Sequence, residues 1–136
     1  MAFVLDCSVS MAWLFADEAH AGADALRESL TEQHGVAPAL WPTELANALL
    51  TATRRGRISV DEWPALGRQL RALPIEVDPV ALPAVLDRVL PMADRYGLTV
   101  YDATYLELAI RRGLPLATLD RRLAEASRAA GVALCL

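Results

Sequence analysis

Short apolar runs, AFVL at the start and then VAPAL, LTVY, LPLATL and VALCL, punctuate the chain, and between them apolar residues recur at helical spacing. The spacing predicts helices over about 8–15, 18–33, 42–55, 60–72, 80–96, 102–112 and 121–130. Five of the seven glycines, Gly35, Gly56, Gly97, Gly113 and Gly131, stand just after a helical stretch. That is the position where glycine takes the left-handed conformation that ends a helix. Four of these five are followed at once by an apolar run, so the order helix, glycine, strand repeats along the chain. Short buried strands alternating with amphipathic helices indicate an α/β fold with a parallel sheet covered on both faces. Ser59 and Glu62 have the spacing of a capping box and mark the helix start at 60. PIEVD at 74–78 reads as a short strand or an extended connector, and LTVY as a strand or an extended lead-in. No repeat or linker interrupts residues 1–136, which are read as one domain.

Composition narrows the function. With 54% hydrophobic and 22% charged residues the chain can bury a core, and no segment has the bias of a disordered tail. The N-terminus lacks a basic leader and its apolar run is broken by Asp6, so neither signal peptide nor membrane anchor is expected and the cytoplasm is the expected compartment. Cys7 and Cys135 lack the spacing of a thiolate metal site and are read as packed thiols; His20 and His34 share no ligand spacing. All thirteen basic residues are arginine, which excludes Schiff-base, P-loop and lysine-assisted phosphotransfer chemistry. The net charge of −4 argues against broad nucleic-acid binding through a basic surface and leaves room for a local arginine patch.

In an open parallel sheet, ligand-binding groups collect where strands end and helices begin. Four acids fall there: Asp6 after AFVL, Glu44 in the first turn after VAPALWP, Asp102 after LTVY and Asp120 after LPLATL. Singly, each is explained as a helix cap or a favourable first-turn acid. Together, carboxylates converging on an apolar edge repel one another and resist desolvation unless a cation neutralises them. An all-oxygen set points to Mg²⁺ or Mn²⁺, and with such ions the chemistry that needs no Lys, His or Cys is phosphodiester hydrolysis.

The segments VLDCSV, WPTELANALL, LTVYDATYLELA and LATLDRRL together resemble the PIN-domain ribonucleases, specifically the VapC toxins of bacterial toxin–antitoxin pairs, over nearly the whole chain. The resemblance implies a three-layer α/β/α sandwich with a central, mostly parallel sheet and a metal-dependent endoribonuclease. It places Asp6, Glu44, Asp102 and Asp120 in the family's acidic quartet, as metal-holding and catalytic residues. Ser8 and Thr118 match the small hydroxyl residues that support the first and last acids, although Ser8 also suits a helix N-cap; Asn47 lies one turn from Glu44. Cys7 stands where a small apolar residue is usual.

On this reading water attacks the RNA phosphorus in line, leaving 5′-phosphate and 3′-hydroxyl ends. Arg121 and Arg122, directly after Asp120, are the candidates for holding RNA phosphates, with a solvated first helical turn as the alternative. Arg54, Arg55, Arg57, Arg111 and Arg112 end helices that start at the site edge and are expected at the opposite edge, beside the helix C-termini. Trp13 and Phe15, within an apolar set that includes Trp41, Leu49, Leu50 and Trp63, suit core burial by their spacing. The resemblance implies another use for them, a groove for the apolar segment of a cognate VapB-like antitoxin, and it also implies a homodimer.

Other classes are less well matched. DEAH at 17–20 spells a helicase box, but no phosphate-binding loop and no lysine accompany it. Receiver domains and haloacid-dehalogenase-like phosphatases want an acid pair or D-x-D beside the first strand and, typically, a lysine, whereas this chain has Asp6-Cys7-Ser8. A noncatalytic RNA- or protein-binding module of the same fold is the remaining alternative; loss of an acid would favour it, and none is lost.

Overall fold

Strand β1 (Ala2–Leu5) is buried on both faces, with Phe3, Val4 and Leu5 sealed from solvent, as its unbroken apolar sequence requires. It lies at the centre of a four-stranded sheet in the order β3-β2-β1-β4, in which every pairing is parallel. The computed structural model describes residues 1–136. After β1 come α1 (Cys7–Leu14), α2 (Ala21–Glu28), β2 (His34–Pro38), α3 (Trp41–Arg54), α4 (Trp63–Arg71) and β3 (Ile75–Asp78). A continuous helical run follows, α5 (Leu82–Ala84) passing through a π-helical turn at Val85–Val89 into α6 (Leu90–Tyr96). The chain then forms α7 (Val100–Arg112), β4 (Leu116–Ala117) and α8 (Arg121–Ala129). The last apolar run, VALCL, contributes one parallel bridge from Leu134 to Leu116 rather than a strand.

Helix α7 lies against β1, β2 and β4, and its Tyr105, Leu106, Leu108 and Ala109 join residues of α1, α2, α3 and α8 in one core. This is the expected α/β architecture with helices flanking a parallel sheet. Along the α5–α6 run Val89 and Ala93 face inward to Ala103, while Leu82, Leu86 and Leu90 stay exposed.

Several expectations are corrected. Gly35 does not end a helix: it sits within β2, where an added Cβ would come within 2.6 Å of Ile75 Cδ1, so closeness to the neighbouring strand explains the glycine. The other four glycines do take positive φ. LTVY is not a strand, because Thr99 caps α7 by accepting a hydrogen bond from Asp102 N and the helix begins at Val100. The helix expected over 18–33 is broken into two 3₁₀ turns around α2, with the ring of His20 accepting from Gly22 N and Ala23 N. Arg111 and Arg112 do more than face a helix end. Buried Glu107 accepts from Arg88 at 3.1 Å and from Arg111 at 2.8 Å, Arg111 reaches Asp78 at 2.7 Å, and Arg112 pairs with Glu76. This network fastens α7 to the π-helical turn and to β3.

Candidate active site

Asp6 leaves β1 at the N-cap position of α1, yet its side chain caps nothing. Its Oδ2 instead accepts from Ser8 Oγ at 2.6 Å and from Thr118 Oγ1 at 2.8 Å, in a setting only 5% exposed. Ser8 and Thr118 are themselves held by backbone donors of the β4–α8 turn: Leu119 N to Ser8 Oγ and Asp120 N to Thr118 Oγ1. Both hydroxyls therefore present their hydrogens to one carboxylate, and Ser8 is not an N-cap. Burial raises the Asp6 carboxyl above its ordinary range, against the lowering effect of these hydrogen bonds.

Glu44, in the first turn of α3, receives the phenolic hydroxyl of Tyr105 on Oε1 at 2.5 Å. Partial burial raises its carboxyl, Tyr105 lowers it, and the charges of Asp6 and Asp102 raise it again. Asp102 is the third residue of α7; with Thr99 as the cap, capping does not account for its carboxylate. Burial, then Asp6 and Asp120, push it up to about 6. Asp120 does cap α8, Oδ1 accepting from Leu123 N at 2.9 Å. Burial, then the charges of Glu44, Asp6 and Glu18, push the Cys7 thiol up to about 12, which disfavours its thiolate form.

The four acids thus share one electrostatic field, Asp6 acting on Glu44 and Asp102, and Asp120 on Asp102. None of the four has a basic partner, whereas Asp17, Glu18, Glu76, Asp78, Glu107 and Glu125 each face an arginine. They do not form a ready-made cage, since no three of the acidic, cysteine or histidine side chains stand close enough to hold an ion together. Donor chemistry and repulsion nevertheless fit a hard cation, because Mg²⁺ is commonly held by one or two carboxylates with water completing the shell.

The remaining expected residues divide. Asn47 lines a cleft of about 400 Å³ that Glu44 also lines. Arg121, highly exposed, pairs with Glu125 at 3.3 Å. Arg122 lines a separate cleft of about 410 Å³ with Arg95 and Tyr96. Trp13 and Phe15 are not a binding groove: they are 7% and 5% exposed, Trp13 Nε1 donates to Ala23 O at 2.7 Å, and Arg57 stacks on the Phe15 ring. Trp13 is turned inward from α1, and Phe15 by the extended backbone that ends that helix. Tyr105 was not foreseen. Its spacing of three from Asp102 puts it on the same helix side, but only the fold brings Glu44 to it.

A profile of the PIN domain matches residues 3–129. The chain belongs to the PIN-domain family. Among relatives of this PIN domain, Ribonuclease VapC3 of Pyrobaculum aerophilum is 33% identical over 129 residues, 92% of this chain and 94% of that protein. Exonuclease VapC9 of the same organism is 40% identical over 80 residues, 59% of this chain and 57% of that protein. The crystal structure of PAE2754, also from Pyrobaculum aerophilum, superposes with a TM-score of 0.67 at 31% identity, covering 93% of this chain and 87% of that one.

Proposed function

We propose that this PIN domain is a metal-dependent endoribonuclease, the toxin of a VapBC-like toxin–antitoxin pair. One observation carries the reading: Asp6, Glu44, Asp102 and Asp120 stand at the starts of four different helices, near enough for their charges to act on one another, and none is paired with an arginine. The similarity to a protein named as a VapC ribonuclease supports it. Asp6, Asp102 and Asp120, with Glu44, would hold Mg²⁺ or Mn²⁺. When bound, such an ion shields the phosphate charge and makes a water nucleophilic enough to cleave the phosphodiester.

The chain's own residues orient that site. Ser8 and Thr118 fix the Asp6 carboxylate, and Asn47 sits beside Glu44 on the same helix. Arg121 stands free enough to take a flanking RNA phosphate in exchange for Glu125, and Arg122 is joined by Arg95 in a cleft suited to another. With Trp13 and Phe15 inside the core, the surface that suits an apolar antitoxin segment is the cleft between α3 and α4, lined by Leu45, Leu49 and Leu70. The exposed Leu82, Leu86 and Leu90 suit a two-fold contact in a homodimer. No helix is long and apolar enough to cross a membrane, which agrees with a proposed place in the cytoplasm.

The test is cleavage of a pool of structured and single-stranded RNAs, including a circular RNA, by the native chain and by Asp6→Asn prepared identically, with Mg²⁺, Mn²⁺ or EDTA. Metal-dependent cutting of the circle by the native chain alone, with 5′-phosphate ends, is expected. Equal cutting by the variant, or a native chain that binds RNA without cutting it, would replace this reading with the noncatalytic binding module. Cutting of linear RNA only would make the enzyme an exonuclease.

A further inference from the structure

Tyr101 immediately precedes Asp102 in the first turn of α7 and leaves 65% of its surface in solvent, although the other aromatic residue of that helix, Tyr105, is completely buried. Across from it stand Leu40, Thr43, Glu44 and Asn47 at the start of α3, and together these five residues line the cleft of about 400 Å³. The cleft and the acidic site share Glu44 as a common wall, and Tyr101 joins the cleft to Asp102 through one peptide bond. A group held here therefore lies beside the acids Glu44 and Asp102.

The lining decides what kind of group. Glu44 is its only charged residue, so a phosphate would be repelled and a neutral group is preferred. The volume lies at the small end of ligand pockets, suited to a single ring system. One wall is an exposed aromatic face, and Thr43 and Asn47, both exposed, supply a hydroxyl and a carboxamide. A flat π-system rimmed with donors and acceptors satisfies all of these features at once.

We propose that this cleft seats one unpaired nucleobase of the RNA, adjacent to the bond that is cut, with the base stacked on the Tyr101 ring and its edge read by Asn47 and Thr43. Tyr101 is then a specificity residue rather than part of the hydrolytic machinery, and Asn47 reads the base in addition to its supporting place beside Glu44. The inference rests on the ribonuclease reading and adds to it a subsite and a reason for base preference. Single-stranded RNA is the form that can present a base in this way, because a base stacked within a duplex cannot be reached.

The test uses short single-stranded RNAs spanning a mapped cut, with either a normal or an abasic nucleotide at each flanking position, and Tyr101→Ala, Tyr101→Trp and Asn47→Ala. Tyr101→Ala should raise KM about tenfold, the scale of losing one base–aromatic stack, with a smaller change in kcat, and Tyr101→Trp should restore it. In the native chain, one abasic position should cost at least as much as Tyr101→Ala does; in Tyr101→Ala the same abasic RNA should cost less than in the native chain, because the stack is already gone and only the edge contacts remain to be lost. Asn47→Ala should flatten the preference among bases at that position.

Unchanged KM in Tyr101→Ala, or variant and abasic effects that multiply, would overturn the assignment while leaving the ribonuclease reading intact. Fluorescence anisotropy of the same labelled RNAs separates the other case. A native chain that never cuts, yet binds about tenfold more tightly than Tyr101→Ala, defeats the hydrolytic reading and keeps the base cleft. If Tyr101→Ala weakens only binding of a protein partner and leaves RNA affinity unchanged, the cleft belongs to that partner and the proposal fails.

Discussion

The hydroxyl of Tyr105 in α7 meets the carboxylate of Glu44 in α3 at 2.5 Å, joining residues 61 positions apart. A buried phenol with its single donor committed in this way holds the glutamate in one rotamer. Tyr105→Phe keeps the ring and frees the acid. Loss of such an outer partner typically weakens cation binding by roughly tenfold or more. Calorimetric titration with Mn²⁺ should show that loss while the circular dichroism spectrum stays native; equal affinities in the two proteins would make the contact purely structural.

Asp6→Asn should stabilise the metal-free protein while abolishing cleavage. Desolvation is the dominant effect on this carboxyl and outweighs the hydrogen bonds from Ser8 and Thr118, and the amide oxygen can still accept from both. Removing a strained functional charge commonly gains about 0.5–2 kcal/mol. Thermal melting in EDTA measures it, and a lower Tm in the variant would mean that the two hydroxyls hold the anion more favourably than burial opposes it.

Acidity should tune the same edge. Asp102 is pushed up to about 6 and Glu44 is raised as well, so the native chain holds protons that the unfolded chain has released. In the window from the ordinary carboxylate range up to about 6, these groups therefore make stability fall as pH rises and recover on acidification. Added Mg²⁺ should reverse the trend, stabilising at pH values well above this range and doing little below it, where the acids are protonated. Melting curves across pH, with and without Mg²⁺, test both signs.

Trp13 gives a stability prediction in place of the partner contact that its sequence context suggested. Buried, with Nε1 donating to Ala23 O, it ties α1 to α2. Trp13→Ala should cost about 3–5 kcal/mol, read as a lower urea midpoint in the absence of any partner. An unchanged midpoint would return Trp13 to the surface.

What could be read from the sequence was local. The capping box at Ser59 and Glu62, the left-handed glycines 56, 97, 113 and 131, and the placement of Asp6 and Asp120 between a strand and a helix all depend on nearby residues, and each is present. Gly35 misled because a glycine that ends a helix and one that admits a neighbouring strand leave the same mark in a sequence. LTVY, open in the sequence between a strand and an extended lead-in, is a lead-in only at Leu98 and Thr99, because the Thr99 hydroxyl starts the helix at Val100. The contacts that orient the acids, Tyr105 to Glu44 and Thr118 to Asp6, and the Arg88–Glu107–Arg111–Asp78 network that anchors α7, join distant segments. Only the folded chain brings them together.

The position of β1 between β2 and β4 has a consequence for how the protein comes into being. The first strand can pair with β2 early in synthesis, but its other edge waits for Leu116 and Ala117, and Asp6 waits for Thr118. A nascent chain that stops short of β4 carries three of the four acids without the turn that clamps the first and supplies the last. On the proposed reading RNA cleavage is thus deferred: the four acids cannot come together until the final few turns have left the ribosome.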